Sequence, residues 1–192
     1  SERRAGAKML DKNSIEDKKV IRRIQSGETE DSQILIEKYY QEIFRFSYYM
    51  TGNKEDAYDC TQETFLKMIR YIGQYKEMQK FKAWLFQIAR NVCYDGFRRE
   101  KEIPSGISKE FVRGESLETP EKYMQAKQMS ERVRDALSQL PDMQRDVLIL
   151  RFYHELKIKE IAQITNTGNA TVKSRLRQGM EKMKRALGEE VW

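Results

Sequence analysis

The sequence predicts an all-α protein of two small helical domains joined by a flexible linker, and three observations carry that prediction. Apolar residues recur at helical spacing along most of the chain, with no period-two run that would make a strand. Three Pro and ten Gly in 192 residues are few for an all-β fold, which needs many tight turns. One stretch, Lys101 to Pro120, departs from the pattern. It holds two Pro, two Gly, several Ser/Thr and little apolar periodicity, the composition of a linker.

Taken in order, Ser1 to Lys8 has no apolar period and precedes Met9, so residues 1–9 read as a leader, disordered or foreign to the native protein. A first helix is predicted over Ser14 to Gln25, with Ile15, Val20, Ile21 and Ile24 on its apolar face and Gly27 ending it. A second spans Asp31 to Thr51, its apolar side formed by Ile34, Leu35, Tyr39, Ile43, Phe46 and Met50, and Gly52-Asn53 breaks it. A third runs from Lys54 to Ile72 and stops at Gly73. A fourth runs from Phe81 to Arg99, with Phe81, Trp84, Leu85, Ile88 and Val92 as its core stripe. Beyond the linker, Pro120-Glu121 is a good helix start. Helices follow to Gln139, from Pro141 to Tyr153, from Lys157 to Ile164, and from Asn169 to Leu187. The domains are thus residues 10–100 and 121–192, with 101–120 between them.

Composition excludes several classes of function. No apolar run approaches the roughly 20 residues that span a bilayer, and no signal sequence is recognisable, so a cytoplasmic protein is expected. The two cysteines, Cys60 and Cys93, lie in separate helical patterns and are expected to be buried, reduced thiols. The single histidine, His154, has no cysteine or carboxylate cluster at metal-ligand spacing. Neither a phosphate-binding glycine loop nor a nucleophile elbow occurs. The expectation is no enzyme, no cofactor, no metal and no small-molecule substrate.

The net charge is +6, and its location is informative. From Lys80 to Lys101 six Lys/Arg face two Asp/Glu; from Asn169 to Leu187 six face one. Two basic segments far apart in sequence are the footprint of a protein that touches a polyanion twice. The second lies in a helix-turn-helix pattern. Leu156 to Ile164 is a short amphipathic helix, Asn166-Thr167-Gly168 a turn, and Asn169 or Thr171 a possible cap for the next helix. Ala162 suits a close helix crossing, and Ile158, Ile161, Val172 and Leu176 a shared core. On a 100° wheel, Val172, Leu176, Met180, Met183 and Leu187 share one face. Thr171, Ser174, Arg177 and Gln178 fall opposite, Ser174, Arg177 and Gln178 best placed for base edges, while Lys173 and Arg175 on the flanks suit phosphates.

Two sets of residues resemble one family. Leu140-Pro141-x-x-x-Arg145-x-Val147, Glu155-Leu156-x-x-x-Glu160-Ile161-Ala162 and Thr171-Val172-Lys173-Ser174-Arg175-Leu176 resemble the fourth region of extracytoplasmic-function (group IV) sigma factors of bacterial RNA polymerase. Asp56-Ala57-x-Asp59-x-x-Gln62-Glu63-x-Phe65, Phe81-x-Ala83-Trp84-Leu85-x-x-Ile88-Ala89-Arg90-Asn91 and Asp95-x-x-Arg98-Arg99 resemble their second region. The resemblance implies a sigma factor that binds core RNA polymerase and directs initiation at promoters. Asp56, Asp59, Gln62 and Glu63 would dock on the β′ clamp helices, and the C-terminal domain on the β flap. Tyr75, Arg90, Asn91, Asp95, Arg98 and Arg99 would read the −10 element and hold its melted strand. Thr171, Lys173, Ser174, Arg175, Arg177 and Gln178 would read the −35 element. The resemblance further implies a cognate anti-sigma factor, of the kind that holds many members of the family inactive at the membrane. The chain departs from the family at Gln178, where many members carry Arg. Gln suits adenine and Arg suits guanine. The competing readings are a stand-alone helix-turn-helix regulator and a helical protein that binds polymerase or an anti-sigma factor.

Overall fold

In the structure, a computed structural model, residues 15–76, 80–102 and 131–188 are described, and all their regular elements are helical. Helix α1 covers residues 15–25, α2 Ser32–Thr51, α3 Lys54–Tyr71 and α4 Phe81–Glu102. Helix α5 covers residues 131–138, α6 Asp142–Leu148, α7 Ile158–Thr165 and α8 Asn169–Leu187. The leader, the helix start at Pro120 and the linker beyond Glu102 lie outside the described residues. Lys101 and Glu102, assigned to the linker from sequence, instead complete α4. The first breaker is Pro104, and a residue that precedes a proline is pushed out of the helical region.

Local chemistry accounts for the boundaries. Gly52 ends α2 in the left-handed region at φ 82°, its N–H bonded to the Tyr48 carbonyl at 2.8 Å, a conformation that glycine adopts without steric cost. Asn53 then caps α3, its Oδ1 accepting the Asp56 N–H at 2.8 Å. The helix predicted over Pro141 to Tyr153 divides. Helix α6 ends at Leu148, and Ile149–Tyr153 form a π turn. The uninterrupted apolar run Val147-Leu148-Ile149-Leu150 hides this widening, because all four residues are buried on either geometry.

Leu35, Ile43, Phe46 and Met50 of α2 are buried with Met68 of α3 and Leu85 and Phe86 of α4. Phe46 meets Phe86 edge-on at 5.5 Å, a pairing worth about 0.5–1.5 kcal/mol beyond burial. Ile15 and Ile34 are corrections to the predicted apolar faces. Each lies in the first turn of its helix and is 50% and 44% exposed respectively. On α4 the predicted stripe is incomplete. Phe81, Leu85 and Val92 are buried and Trp84 and Ile88 half-buried, but Phe86, Ala89 and Cys93 are buried as well. Helix α4 is covered on more than one side, Phe86 packing on His154 of the C-terminal half and Cys93 lying against Cys60 and Ser47 of the N-terminal half, and no local pattern could show that.

The buried residues of the two halves form one continuous cluster. At the seam, His154 sits between Phe46 and Phe86, with ring centroids 6.2 and 4.6 Å away. Arg145 works as a clamp. Its Nε and Nη2 donate to the carbonyls of Leu137, Ser138 and Leu140 at 2.9–3.0 Å, and its Nη1 reaches the Met50 carbonyl at 2.7 Å. These are carbonyls at the ends of α5 and α2, which no intrahelical donor satisfies. Arg134 donates to the Tyr48 hydroxyl at 2.7 Å, and Lys80 pairs with Glu160 at 3.0 Å.

Candidate nucleic-acid interface

Helices α7 and α8 form the predicted helix-turn-helix. The Lys157 N–H donates to the Glu160 carboxylate at 2.9 Å, closing the start of α7. Burial pushes the Glu160 carboxyl up, but this bond and Lys80 hold it below the usual range. Asn166 ends α7 in the left-handed region at φ 51°, which Asn tolerates better than most residues. The predicted cap is corrected. Gly168 occupies the N-cap of α8 and no side chain caps it, so neither Asn169 nor Thr171 does that work. Ile161 and Val172 are fully buried between the helices, with Ile158, Ala162 and Leu176 packed partly buried against them.

On α8, Thr171, Lys173, Arg177 and Gln178 are exposed, and Ser174 and Arg175 are half-buried. Arg175 turns toward α6, its Nη2 3.4 Å from the Met143 sulfur. Gln178 is not free either. Its Oε1 accepts from Gln144 Nε2 at 3.0 Å. Sequence reasoning missed Gln144 and also Gly179. A Cβ at position 179 would lie 2.9 Å from Leu148 Cδ1, so the missing side chain is what lets α6 and α8 touch. A buried glycine inside a strongly helical pattern was the available signal.

On α4, Asn91, Arg98 and Arg99 are exposed. Asp95 is half-buried and ion-paired with Arg98, with Lys67 3.8 Å away. Arg90 differs from the others. Its Nε donates to Asp146 Oδ2 at 2.6 Å, its guanidinium lies 4.3 Å over the Tyr94 ring, and the Tyr94 hydroxyl donates to the same oxygen at 2.9 Å. The Asp146 side chain is fully buried and that of Arg90 only 13% exposed. Burial would lower the Arg90 pKa, but Asp146 raises it on balance, so the cation is fixed. Asn91, Tyr94, Asp95 and Arg98, together with Asp142 of α6, line a pocket of about 540 Å³. Tyr75 is half-buried, edge-on to Phe81 and 5.0 Å from Trp84. Gln25 Nε2 pins its carbonyl at 3.0 Å.

On α3, Asp59 and Gln62 are exposed, and Glu63 lies 3.8 Å from Lys67. Asp56 is half-buried and hydrogen-bonded to the capping Asn53, which is the helix-dipole role of an acid in a first turn. Leu66 and Ile69, 58% and 44% exposed, extend the Asp59–Gln62 face by two further turns. Cys60 and Cys93 are both buried, as expected, and neither is in a disulfide. Among the described residues no three His, Cys, Asp or Glu side chains gather as metal ligands, and no helix is long and apolar enough to cross a membrane.

The profile of Sigma-70 region 2 matches residues 35–103, and that of Sigma-70, region 4 matches residues 130–183. The ECF RNA polymerase sigma factor SigM of Bacillus subtilis (strain 168) is 31% identical over 153 residues, 78% of this chain and 91% of the relative. The RNA polymerase sigma factor YlaC of the same organism is 31% identical over 153 residues, 79% of this chain and 88% of the relative. Among solved structures, CnrH in complex with the cytosolic domain of CnrY shares the fold at TM-score 0.67 and 20% identity, covering 88% of this chain and 94% of that one. The sigma factor RpoE in complex with the anti-sigma factor NepR, from Bartonella quintana, does so at 0.64 and 20%, covering 82% and 96%.

Proposed function

The chain belongs to the extracytoplasmic-function sigma factors of bacterial RNA polymerase, which direct transcription to specific promoters, and we propose how its surfaces divide that work. The observation that carries the reading is a division of charge. Two helices far apart in sequence, α4 and α8, each leave cations and amides exposed (Asn91, Arg98 and Arg99; Lys173, Arg177 and Gln178), while α3 exposes Asp59 and Gln62.

Helix α8 enters the major groove of the −35 element, as second helices of this motif do. Thr171, Ser174, Arg177 and Gln178 meet base edges, and Lys173 and Arg175 meet phosphates. Helix α4 serves the −10 element. Asn91 makes paired hydrogen bonds to a base drawn from the stack, Arg98 and Arg99 hold phosphates, and Asp95 orients Arg98. Tyr75 presents the outer side of the Phe81–Trp84 cluster to the strand. Arg90 reaches a phosphate only when Asp146 releases it, so its part in DNA binding follows separation of the two halves. Asp56, Asp59, Gln62 and Glu63 dock on the β′ clamp helices, assisted by exposed Leu66 and Ile69, and the C-terminal half docks on the β flap.

No catalysis is part of this reading, and no cofactor. Unstacking a base costs a few kcal/mol, and capture of that base offsets it. Once polymerase holds both halves, the second DNA contact is effectively intramolecular, and two modest surfaces together bind tightly. The work takes place in the cytoplasm, and a cognate anti-sigma factor restrains it. Both solved relatives above are bound to one or to a cytosolic partner domain. Run-off transcription with core polymerase and the purified chain tests the reading. A specific start is expected on promoters of the source genome, and uniform failure across them would remove it.

A further inference from the structure

Gln144 of α6 and Gln178 of α8 share a hydrogen bond in which Gln144 Nε2 donates to Gln178 Oε1 at 3.0 Å. The contact is built into the helix packing. Gly179, next to Gln178, carries no side chain, and a Cβ there would lie 3.5 Å from Gln144 Cβ and 2.9 Å from Leu148 Cδ1. Helix α6 therefore passes close to the backbone of α8 beside a residue of its exposed face. Gln144 is half-buried and Gln178 exposed, so the inner partner is held and the outer one faces the groove. The Gln144 Oε1 is buried without a partner, so this side chain contributes its donor end, and only that end, to the contact.

We propose that Gln144 is a positioning residue for promoter recognition: by drawing the oxygen of Gln178 toward α6 it turns the amide donors of Gln178 outward to DNA. The inference rests on the reading that α8 enters the −35 major groove. A free glutamine recognises adenine with both ends, its oxygen accepting from N6 and its nitrogen donating to N7. An amide oxygen keeps a second lone pair, so the restraint is one of direction: with Oε1 drawn toward α6, the group turned outward is the NH₂, which would meet the N6 amino group of adenine donor to donor. Guanine presents two acceptors, O6 and N7, at the same edge. The structure thereby reverses the expectation drawn from sequence, in which Gln178 favoured adenine.

The experiment is competitive run-off transcription by holoenzyme, reconstituted from core polymerase and the full chain, on a promoter pool randomised across the −35 element. Wild type is expected to favour guanine over adenine at the base that Gln178 meets, by about fivefold or more. In Gln144→Glu the carboxylate only accepts, so Gln178 must turn its amide inward and its oxygen outward. Preference should then move to the bases that donate there, adenine and cytosine. In Gln144→Ala both ends of Gln178 are free and adenine should gain by a similar factor. A residue that merely packs would not invert polarity in this way. A wild-type preference for adenine, or the same profile in wild type and both Gln144 variants, would overturn the inference. Gln178→Ala separates this from the reading beneath it. If Gln178→Ala flattens one position of the profile while the Gln144 variants do nothing, the positioning role alone is wrong. If Gln178→Ala changes no position, Gln178 does not read DNA, and both the base-reading role of Gln178 and the inference fall. Thermal melting of each variant within a few degrees of wild type shows that the comparison is between folded proteins.

Discussion

Replacing Asp146 by Ala should uncouple the two halves of the molecule, and the size of the effect follows from the contact. Asp146 is fully buried, and Arg90, its partner at 2.6 Å, is 13% exposed. At that separation and an effective dielectric of about 20, the gross attraction is about 6 kcal/mol. Desolvation of both ions offsets much of this, several kcal/mol per ion in a buried pair. The Tyr94 hydroxyl, which also donates to Asp146, adds about 1.5–3 kcal/mol as a hydrogen bond to a charged group, outside the Arg90–Asp146 coupling itself. Double-mutant cycles on close charge pairs give about 1.5–7 kcal/mol, and a coupling of about 2–3 kcal/mol between Arg90 and Asp146 is expected, well above the ~0–1 kcal/mol of an exposed pair. Asp146→Ala alone should cost about 3–5 kcal/mol while the halves stay packed, because it strands a buried cation. The halves can escape that cost by separating, which rehydrates Arg90. The assay is a double-mutant cycle, Arg90→Ala, Asp146→Ala and both, followed by urea denaturation and by a pair of fluorophores placed on α3 and α8. Asp146→Ala should lower the midpoint and lengthen the distance between the fluorophores, and the double variant should be less destabilised than the sum of the singles. A coupling below about 0.5 kcal/mol, with no change in distance, would show that the contact does not hold the halves together.

Gly179→Ala gains about 1 kcal/mol of helix propensity but forces a Cβ to within 2.9 Å of the buried Leu148, and overpacking costs about 1–3 kcal/mol. A net loss of about 1 kcal/mol, seen as a lower melting temperature, is expected. His154 is pushed below its ordinary pKa by burial, with Glu42 opposing and Lys82 and Arg45 adding to the fall. The folded state therefore binds fewer protons than the unfolded state, and stability present above about pH 6.5 should decline as pH falls through that value. His154→Phe, between Phe46 and Phe86, should remove this slope in denaturant titrations from pH 5 to 7.5. Glu42 acts in the same direction at lower pH. Burial raises its pKa, but His154 and Lys82 bring it down to about 2, so its contribution is lost below about pH 4.5. Asn53→Ala removes the cap of α3 and should cost about 1 kcal/mol by thermal melting. Lys173→Ala should weaken DNA binding about equally across promoter sequences and reduce the slope of log affinity against log salt by about 1.

Most helices were legible because their signals are local. The third helix was placed within a residue because Gly52-Asn53 and Gly73 punctuate it, and the turn at Asn166-Thr167-Gly168 because its composition suits no helix. The exposed members of the candidate surfaces were legible for the same reason. On α8, Val172, Met183 and Leu187 must face inward, so Thr171, Lys173, Arg177 and Gln178 must face out. The π turn at Ile149–Tyr153 was not legible, since an unbroken apolar run satisfies either helix geometry. Phe86 and Ala89, which with the expected buried Cys93 make a second stripe at i, i+3 and i+7, were missed because that stripe lies about 100° round α4 from the first, and only the fold shows that both sides are covered.

The sequence by itself determined an all-α chain with two helical halves, a helix-turn-helix in the second, and two basic segments set apart from an acidic helix. Hydrophobic period and chain punctuation need no partner to be read. Only the tertiary structure decided which of those surface groups are free. Arg90 and Gln178 carry the same donors and acceptors in any fold, and nothing in their neighbours along the chain marks them. What they present to DNA depends on Asp146, which lies 56 residues from Arg90, and on Gln144, which lies 34 from Gln178. Hydrogen-bonding capacity is a property of the residue, but whether it is already used depends on what packing brings within 3 Å.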